Sequence, residues 1–224
     1  MLRHVIVVAA VITVAAAMAP SAVQGQQARS PDRWEPTMKA FEEEARKNPP
    51  AAGQVVFFGS STIRMWDLGA SLPDLKTINR GFGGGEMADL PRYVGRVVTP
   101  LKPRSIVIST GGNDIERGAT AEEIAGNFQR MVETVRKELP ATRVVVFGVK
   151  PYPAIAGKIA EVRKTNALLR TFAEHGNNVV FIDVEKIVLG ADGKPRGDLF
   201  REDGVHLTPE GYKLYTAAVR PHLR

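Results

Sequence analysis

The chain of 224 residues contains no cysteine. This absence excludes a disulfide framework, a thiolate zinc site and a cysteine nucleophile. It also excludes attachment to a membrane through a lipidated cysteine. Histidine is scarce as well, with four residues. The length suits one domain with a sizeable core better than two.

The chain also lacks any basic run of the kind that binds nucleic acid. The formal net charge is +6 and the pI is about 9.7. The basic residues, however, are scattered and interleaved with acidic ones, as in Arg136-Lys137-Glu138. No alternation of aromatic and basic residues suggests base stacking. We therefore expect no nucleic-acid partner.

The apolar stretch at the amino terminus, Val5 to Ala19, is short for a membrane span. It has about 15 residues, whereas a spanning helix needs roughly 20. It follows Arg3 and His4 and precedes small residues up to Gly25. This order is typical of a secretory signal peptide. We expect residues 1–25 to be a signal peptide cleaved near Gly25. Residues 26–224 would then be a periplasmic or secreted domain without a stable membrane anchor.

The remainder of the chain alternates between short apolar runs and segments with helical periodicity. The predicted strands are Gln54–Phe58, Leu75–Asn79, Ser105–Ser109, Arg143–Val149 and Asn178–Asp183. The predicted helices are Thr37–Lys47, Met87–Val98, Lys158–Glu174, one beginning at Thr120 with capping-box spacing, and one beginning at Thr208-Pro209. Such alternation predicts a three-layer α/β/α sandwich whose parallel sheet has about five strands, with a flavodoxin-like layout.

Polar and glycine-rich clusters follow several of these strands, and a further cluster lies near the end of the chain. They are Gly59-Ser60-Ser61-Thr62, Asn79 to Gly85, Gly111-Gly112-Asn113-Asp114, and Asp203-Gly204-Val205-His206. Taken singly, each is more often a helix cap or a loop hydrogen bond. Because sites in parallel sheets form beyond the carboxyl ends of the strands, we expect the four clusters to meet at one edge.

Together these residue types suit acyl transfer. A serine hydroxyl needs a base, and imidazole serves that role near neutral pH. A carboxylate on the other ring nitrogen fixes the tautomer, and Asp203 is three residues from His206. The oxyanion needs hydrogen-bond donors, which the backbone N–H of Ser61, the glycine loop and the Asn113 amide would supply.

In order and spacing, the four clusters resemble the sequence blocks of the SGNH hydrolase (GDSL-type esterase/lipase) family. The resemblance implies Ser61 as nucleophile, although Ser60 stands where the name-giving pattern has Asp. It implies an oxyanion hole formed by Ser61, Gly84 and Asn113, with Gly83 as the alternative glycine. It further implies a Ser61–His206–Asp203 triad acting on a small-molecule or glycan ester, without a cofactor or a metal.

Other enzyme classes fit the sequence less well. An ordinary α/β-hydrolase would have Gly-x-Ser-x-Gly, but Ile63 replaces the second glycine. A metal phosphoesterase could use Asp203, His206, Asn113 and Asp114, but it would need more histidines and carboxylates. A catalytically silent, glycan-binding member of the same fold is the remaining alternative.

Two further features of the sequence concern the pocket. Arg64, Trp66 and Tyr152 either line it or pack between loop and helix. The blocks are not separated by long insertions, which favours an open, shallow site and small acyl groups.

Overall fold

The computed structural model describes residue 30 and residues 32–176 and 178–223. The predicted signal peptide, residues 1–25 with its cleavage site near Gly25, lies outside the described residues. Within the described ranges, no helix is both long enough and apolar enough to cross a membrane.

The described chain forms one parallel sheet of five strands, as predicted. The strands are β1 Val55–Gly59, β2 Thr77–Gly81, β3 Ser105–Ser109, β4 Arg143–Phe147 and β5 Val179–Ile182. Their order across the sheet is β2-β1-β3-β4-β5, and all neighbouring pairs are parallel. Every residue of β1 and β3 is buried, which is expected for a sheet covered on both faces.

Helices connect the strands and follow the last one. The α-helices are α1 Glu35–Lys47, α2 Ser61–Arg64, α3 Leu68–Ser71, α4 Leu90–Val97, α5 Gly112–Glu116, α6 Ala121–Glu138, α7 Ile159–Glu174, α8 Glu185–Val188 and α9 Pro209–Val219. Short 3₁₀ helices span Met87–Asp89, Thr99–Leu101, Pro153–Lys158, Gly197–Leu199 and Arg220–His222.

The helices form two layers, one on each face of the sheet. On one side α4 contacts α1 and α6, and α6 contacts α7; on the other side α9 contacts α3 and α8. Neighbouring residues of β1 divide between these layers, because side chains alternate along a strand. Phe57 packs against Trp66, which also contacts Tyr215 of α9, whereas Phe58 packs against Phe82. The three-layer α/β/α architecture is therefore confirmed.

Several boundaries differ from the sequence prediction by one or a few residues, and two of these differences have a clear local reason. The predicted helix Met87–Val98 is divided into the 3₁₀ turn Met87–Asp89 and α4, because Pro91 favours the first turn of a new helix. Strand β2 begins at Thr77 rather than Leu75, since Val55, the first residue of β1, pairs with Thr77. The capping box of α6 and the Thr208 cap of α9 are confirmed.

The strand order places a topological switch point at β1. The chain passes from β1 to β2 on one side and then returns to β3 on the other. Gly59, the last residue of β1, lies in register with Gly81 of β2 and Ser109 of β3. The segments that follow these three strands therefore leave the sheet at one level, where a crevice for ligands forms.

Candidate active site

Ser61 is the first residue of α2, two positions after β1 ends. The turn before it is held tightly, because Ser60 donates its N–H to the Ser109 carbonyl at 3.1 Å. Gly59 has a φ of +150°, and a Cβ there would lie 2.4 Å from the Ser109 oxygen. Only glycine fits this close approach. Ser60 is buried and Ser61 is half-buried, so Ser61 is the serine that the site can use.

The side chains of Ser61, His206 and Asp203 form a continuous line. His206 Nε2 lies 3.0 Å from Ser61 Oγ, although the two residues are 145 positions apart. On the other side of the ring, Nδ1 lies 2.7 Å from Asp203 Oδ2. The structure therefore brings together the three residues that the sequence assigned to catalysis, in the arrangement that a nucleophile, a base and an orienting carboxylate require.

A short loop before α9 positions both Asp203 and His206. An antiparallel bridge joins Phe200 to Leu207 at its base, and the Arg201 N–H donates to the His206 carbonyl at 2.8 Å. Thr208 then caps α9 by accepting the Gly211 N–H at 3.3 Å. Since the loop closes on itself and a helix begins immediately after it, the imidazole is held in a fixed place.

The environment of Asp203 keeps its carboxyl group ionised. Its Oδ1 accepts the backbone N–H groups of His206 and Val205, at 2.9 and 2.8 Å. These hydrogen bonds, from the His206 backbone first, then the His206 ring and the Val205 backbone, hold the pKa of Asp203 well below its usual range. An ionised Asp203 stabilises the imidazolium that forms when His206 accepts a proton.

Asn113 lies in α5, directly after the turn that follows β3. Its Nδ2 donates one hydrogen to the Gly85 carbonyl at 2.8 Å, and the Thr110 hydroxyl donates to the same oxygen at 3.1 Å. An amide nitrogen has two hydrogens, so Asn113 retains a second donor. Ser61 and Asn113 line one pocket.

Gly84 belongs to the turn that carries this Gly85 carbonyl, and its φ of +77° is one that glycine adopts readily. Among the described residues, no backbone oxygen accepts the N–H of Gly84 or that of Ser61. A Cβ at Gly83 would lie 2.8 Å from Nε of Arg64. The choice of Gly84 over Gly83 as the oxyanion glycine stays a prediction.

Asp114, the carboxylate next to Asn113, is used differently. It is buried, and both of its oxygens accept the Met87 N–H at 2.9 Å. Burial raises the pKa of Asp114 to about 6. This side chain ties α5 to the turn that follows the glycine loop, whereas Asp203 is the carboxylate that contacts His206.

The pocket beside Ser61 is small, with about 20 Å³ of space for water-sized groups. Thr62, Lys150, Tyr152 and Val205 are among its lining residues. Trp66 does not line it, because the ring packs in the core against Phe57 and Tyr215. Sequence reasoning missed Lys150, although the signal was available. Lys150 follows the end of β4 by three residues, and the strand-end rule points to that position.

Among the described residues, no group of three or more His, Asp or Glu side chains is placed to hold a metal ion. The phosphoesterase alternative requires such a cluster.

Comparison with known proteins extends the resemblance noted in the sequence. A model of the GDSL-like lipase/acylhydrolase family matches residues 51–214. Platelet-activating factor acetylhydrolase IB subunit alpha2 of Rattus norvegicus is 28% identical over 188 residues, which cover 81% of this chain and 79% of the relative.

Solved structures share the fold. One from Streptococcus pneumoniae has a TM-score of 0.77 at 18% identity, covering 85% of this chain and 92% of its own. A GDSL-like lipase from Bacteroides thetaiotaomicron has a TM-score of 0.69 at 21% identity, covering 87% and 97%. The family model spans well over half of the chain, including Ser61 and His206. The chain therefore belongs to the GDSL-like lipase/acylhydrolase family and is a carboxylic ester hydrolase.

Proposed function

We propose that this protein is an exported serine esterase that removes short, acetyl-like acyl groups from small-molecule or glycan esters. The observation that carries the proposal is the line of contacts at 3.0 and 2.7 Å from Ser61 through His206 to Asp203. Serine, imidazole and carboxylate in this order make up an activated nucleophile.

The reaction proceeds in two steps. Ser61 Oγ attacks the ester carbonyl carbon while His206 Nε2 takes the hydroxyl proton, and Asp203 stabilises the resulting imidazolium. The oxyanion accepts hydrogen bonds from the Ser61 N–H, the Gly84 N–H and the Asn113 amide. The imidazolium then gives its proton to the departing alkoxide. In the second step, His206 takes a proton from water, and the hydroxide formed attacks the acyl-enzyme. The imidazolium then returns this proton to Ser61 Oγ as the acid leaves, which restores both residues.

The size of the acyl group follows from the space beside the nucleophile. The pocket has a volume of only about 20 Å³, which favours short acyl groups over long alkyl chains. The rat relative is named an acetylhydrolase, which agrees with a two-carbon acyl group.

The test combines covalent labelling with turnover. We expect the wild type to react with a serine-directed fluorophosphonate and to hydrolyse 4-nitrophenyl acetate. Ser61→Ala should lose labelling and at least about 10⁴-fold in kcat, because the nucleophile is absent. Ser60→Ala is the matched control, since Ser60 is the neighbouring, buried serine.

Three results would contradict the proposal. One is a wild type that neither labels nor hydrolyses the ester, which would favour the silent, glycan-binding alternative. Another is equal loss in the two variants. The third is loss of activity on chelation, which would favour the metal phosphoesterase.

A further inference from the structure

Lys150 is a charged residue in the pocket that holds the nucleophile, and the proposed mechanism does not use it. It lines this pocket together with Ser61 and Asn113. Its Nζ donates to Thr62 Oγ1 at 3.1 Å, and Thr62 directly follows the nucleophile. The ammonium group is therefore placed beside the space that an acyl group would fill.

The backbone that carries Lys150 is fixed by a buried side chain from α7. Asn166 is 3% exposed and makes two hydrogen bonds with Val149. The Val149 N–H donates to Oδ1 at 2.7 Å, and Nδ2 donates to the Val149 carbonyl at 3.0 Å. The Lys150 ammonium also lies 5.1 Å from the centre of the Tyr152 ring. Lys150 is thus held in place by contacts on its backbone and on its side chain.

The charge of Lys150 is only partly compensated. Within the described part of the chain, no carboxylate forms an ion pair with it, and its hydrogen-bond partner is the neutral hydroxyl of Thr62. Asp203 is the charged group that acts on it, but that carboxylate already binds His206. Burial lowers the pKa of Lys150 to about 8, so the protonated form predominates at neutral pH.

The ammonium group has hydrogens to spare. It carries three, and Thr62 accepts one of them. A half-buried donor without a full set of acceptors raises the free energy of the folded protein. An acceptor atom on a ligand removes this penalty by accepting the unused hydrogen. The pocket wall around it is largely polar, with Ser60, Ser109 and Thr110 among the lining residues. An alkyl group gains little from such a lining.

We propose that Lys150 is a specificity-determining residue whose ammonium group binds an oxygen atom carried by a short acyl group. The preferred substrates are then esters of small oxygen-bearing acids, such as hydroxy acids, rather than esters of plain alkyl acids. This inference rests on the proposed function, because it needs the acyl group to lie beside Ser61.

The test compares two esters that have the same number of non-hydrogen atoms, 4-nitrophenyl glycolate and 4-nitrophenyl propionate. The first ends in a hydroxyl and the second in a methyl. The measured quantity is the ratio of their kcat/KM values in the wild type and in Lys150→Met. Comparing the two enzymes cancels the different intrinsic reactivity of the esters. We expect the variant to lose roughly tenfold in this ratio, as for a lost hydrogen bond to a charged group.

Control variants separate selectivity from other effects. Lys186→Met removes a lysine whose side chain is 80% exposed on α8, and it should keep the wild-type ratio. Lys150→Gln keeps a hydrogen-bond donor without the charge and should give an intermediate ratio of kcat/KM values. If circular dichroism shows that Lys150→Met does not fold, Lys150→Gln serves as the test variant in its place.

Two outcomes would overturn the inference. One is an unchanged ratio in a folded Lys150 variant. The other is an equal loss on both esters, which would make Lys150 a support for the nucleophile rather than a selector. Failure of the proposed function would look different, because the wild type would then hydrolyse neither these esters nor 4-nitrophenyl acetate.

Discussion

At the scale of the single side chain, Asp203 and His206 of one loop have separate roles. Asp203 remains ionised, because three donated hydrogen bonds hold its pKa well below the usual range. In the proposed mechanism, His206 is the group that changes its charge during each reaction step. The pH dependence of the enzyme should therefore report on His206 rather than on Asp203.

We predict that kcat/KM falls as the pH is lowered. A protonated ring cannot accept the Ser61 proton, whereas Asp203 keeps its charge over the same range, so one proton should account for the loss. The measurement is a pH–rate profile with 4-nitrophenyl acetate. A profile without an acidic limb would count against His206 as the base.

The same loop gives a prediction for Asp203→Asn. The amide can no longer stabilise the imidazolium and favours the wrong tautomer, so kcat should fall by roughly 10³–10⁴-fold. Asp198→Asn is a suitable control, because Asp198 pairs with Arg196 at the surface. If both variants were equally active, Asp203 would have no part in catalysis.

The residues of the site could be predicted to different extents. Short sequence motifs indicate four of the candidate residues, because each lies in a recognisable cluster: Ser61, Asn113, Asp203 and His206. Lys150 was not identified, because its importance depends on a contact with Thr62, 88 residues away. The strand-end rule points to the position of Lys150, but a lone lysine has no motif around it, and its burial becomes visible only when the strands are assembled.

At the scale of elements, the position of Ser61 depends on how closely β1 approaches β3. Gly59→Ala should destabilise the fold, because its Cβ would overlap the Ser109 carbonyl and its φ is unfavourable for alanine. We expect a loss of about 2 kcal/mol or more in the free energy of unfolding, measured with a chemical denaturant.

Gly157→Ala is the matched control for that change. A Cβ at Gly157 would have nothing within 4 Å, and no positive φ restricts the position. Its free energy of unfolding should stay within about 0.5 kcal/mol of the wild type. Equal effects of the two substitutions would mean that the close approach at Gly59 does not constrain the fold.

The existence of the elements and their overall arrangement were predictable, but some element boundaries were not. Apolar runs and helical periodicity located all five strands and the long helices to within a few residues. Periodicity alone does not contain the order β2-β1-β3-β4-β5, but the predicted flavodoxin-like layout has this order, and the structure confirms it. The division of the helix at Pro91 was visible in the sequence as a proline, but the competing apolar pattern continued through it.

At the scale of the whole molecule, the proposal of export can be tested directly. When the full chain is expressed in a bacterium, we expect the protein to be recovered outside the cytoplasm with an amino terminus near Gln26. Mass spectrometry of the recovered protein gives the cleavage position. A chain lacking residues 1–25 is the control and should stay in the cytoplasm. An uncleaved full chain retained in the cytoplasm would contradict the prediction.

The distance along the chain between Ser61 and His206 has a consequence for how activity is acquired. One residue follows the first strand and the other comes after the last, 145 positions later. During synthesis, the proposed nucleophile is therefore made long before the proposed base, and we expect chains that end before His206 not to hydrolyse esters. Ester hydrolysis therefore indicates that a chain has been synthesised and folded at least as far as His206.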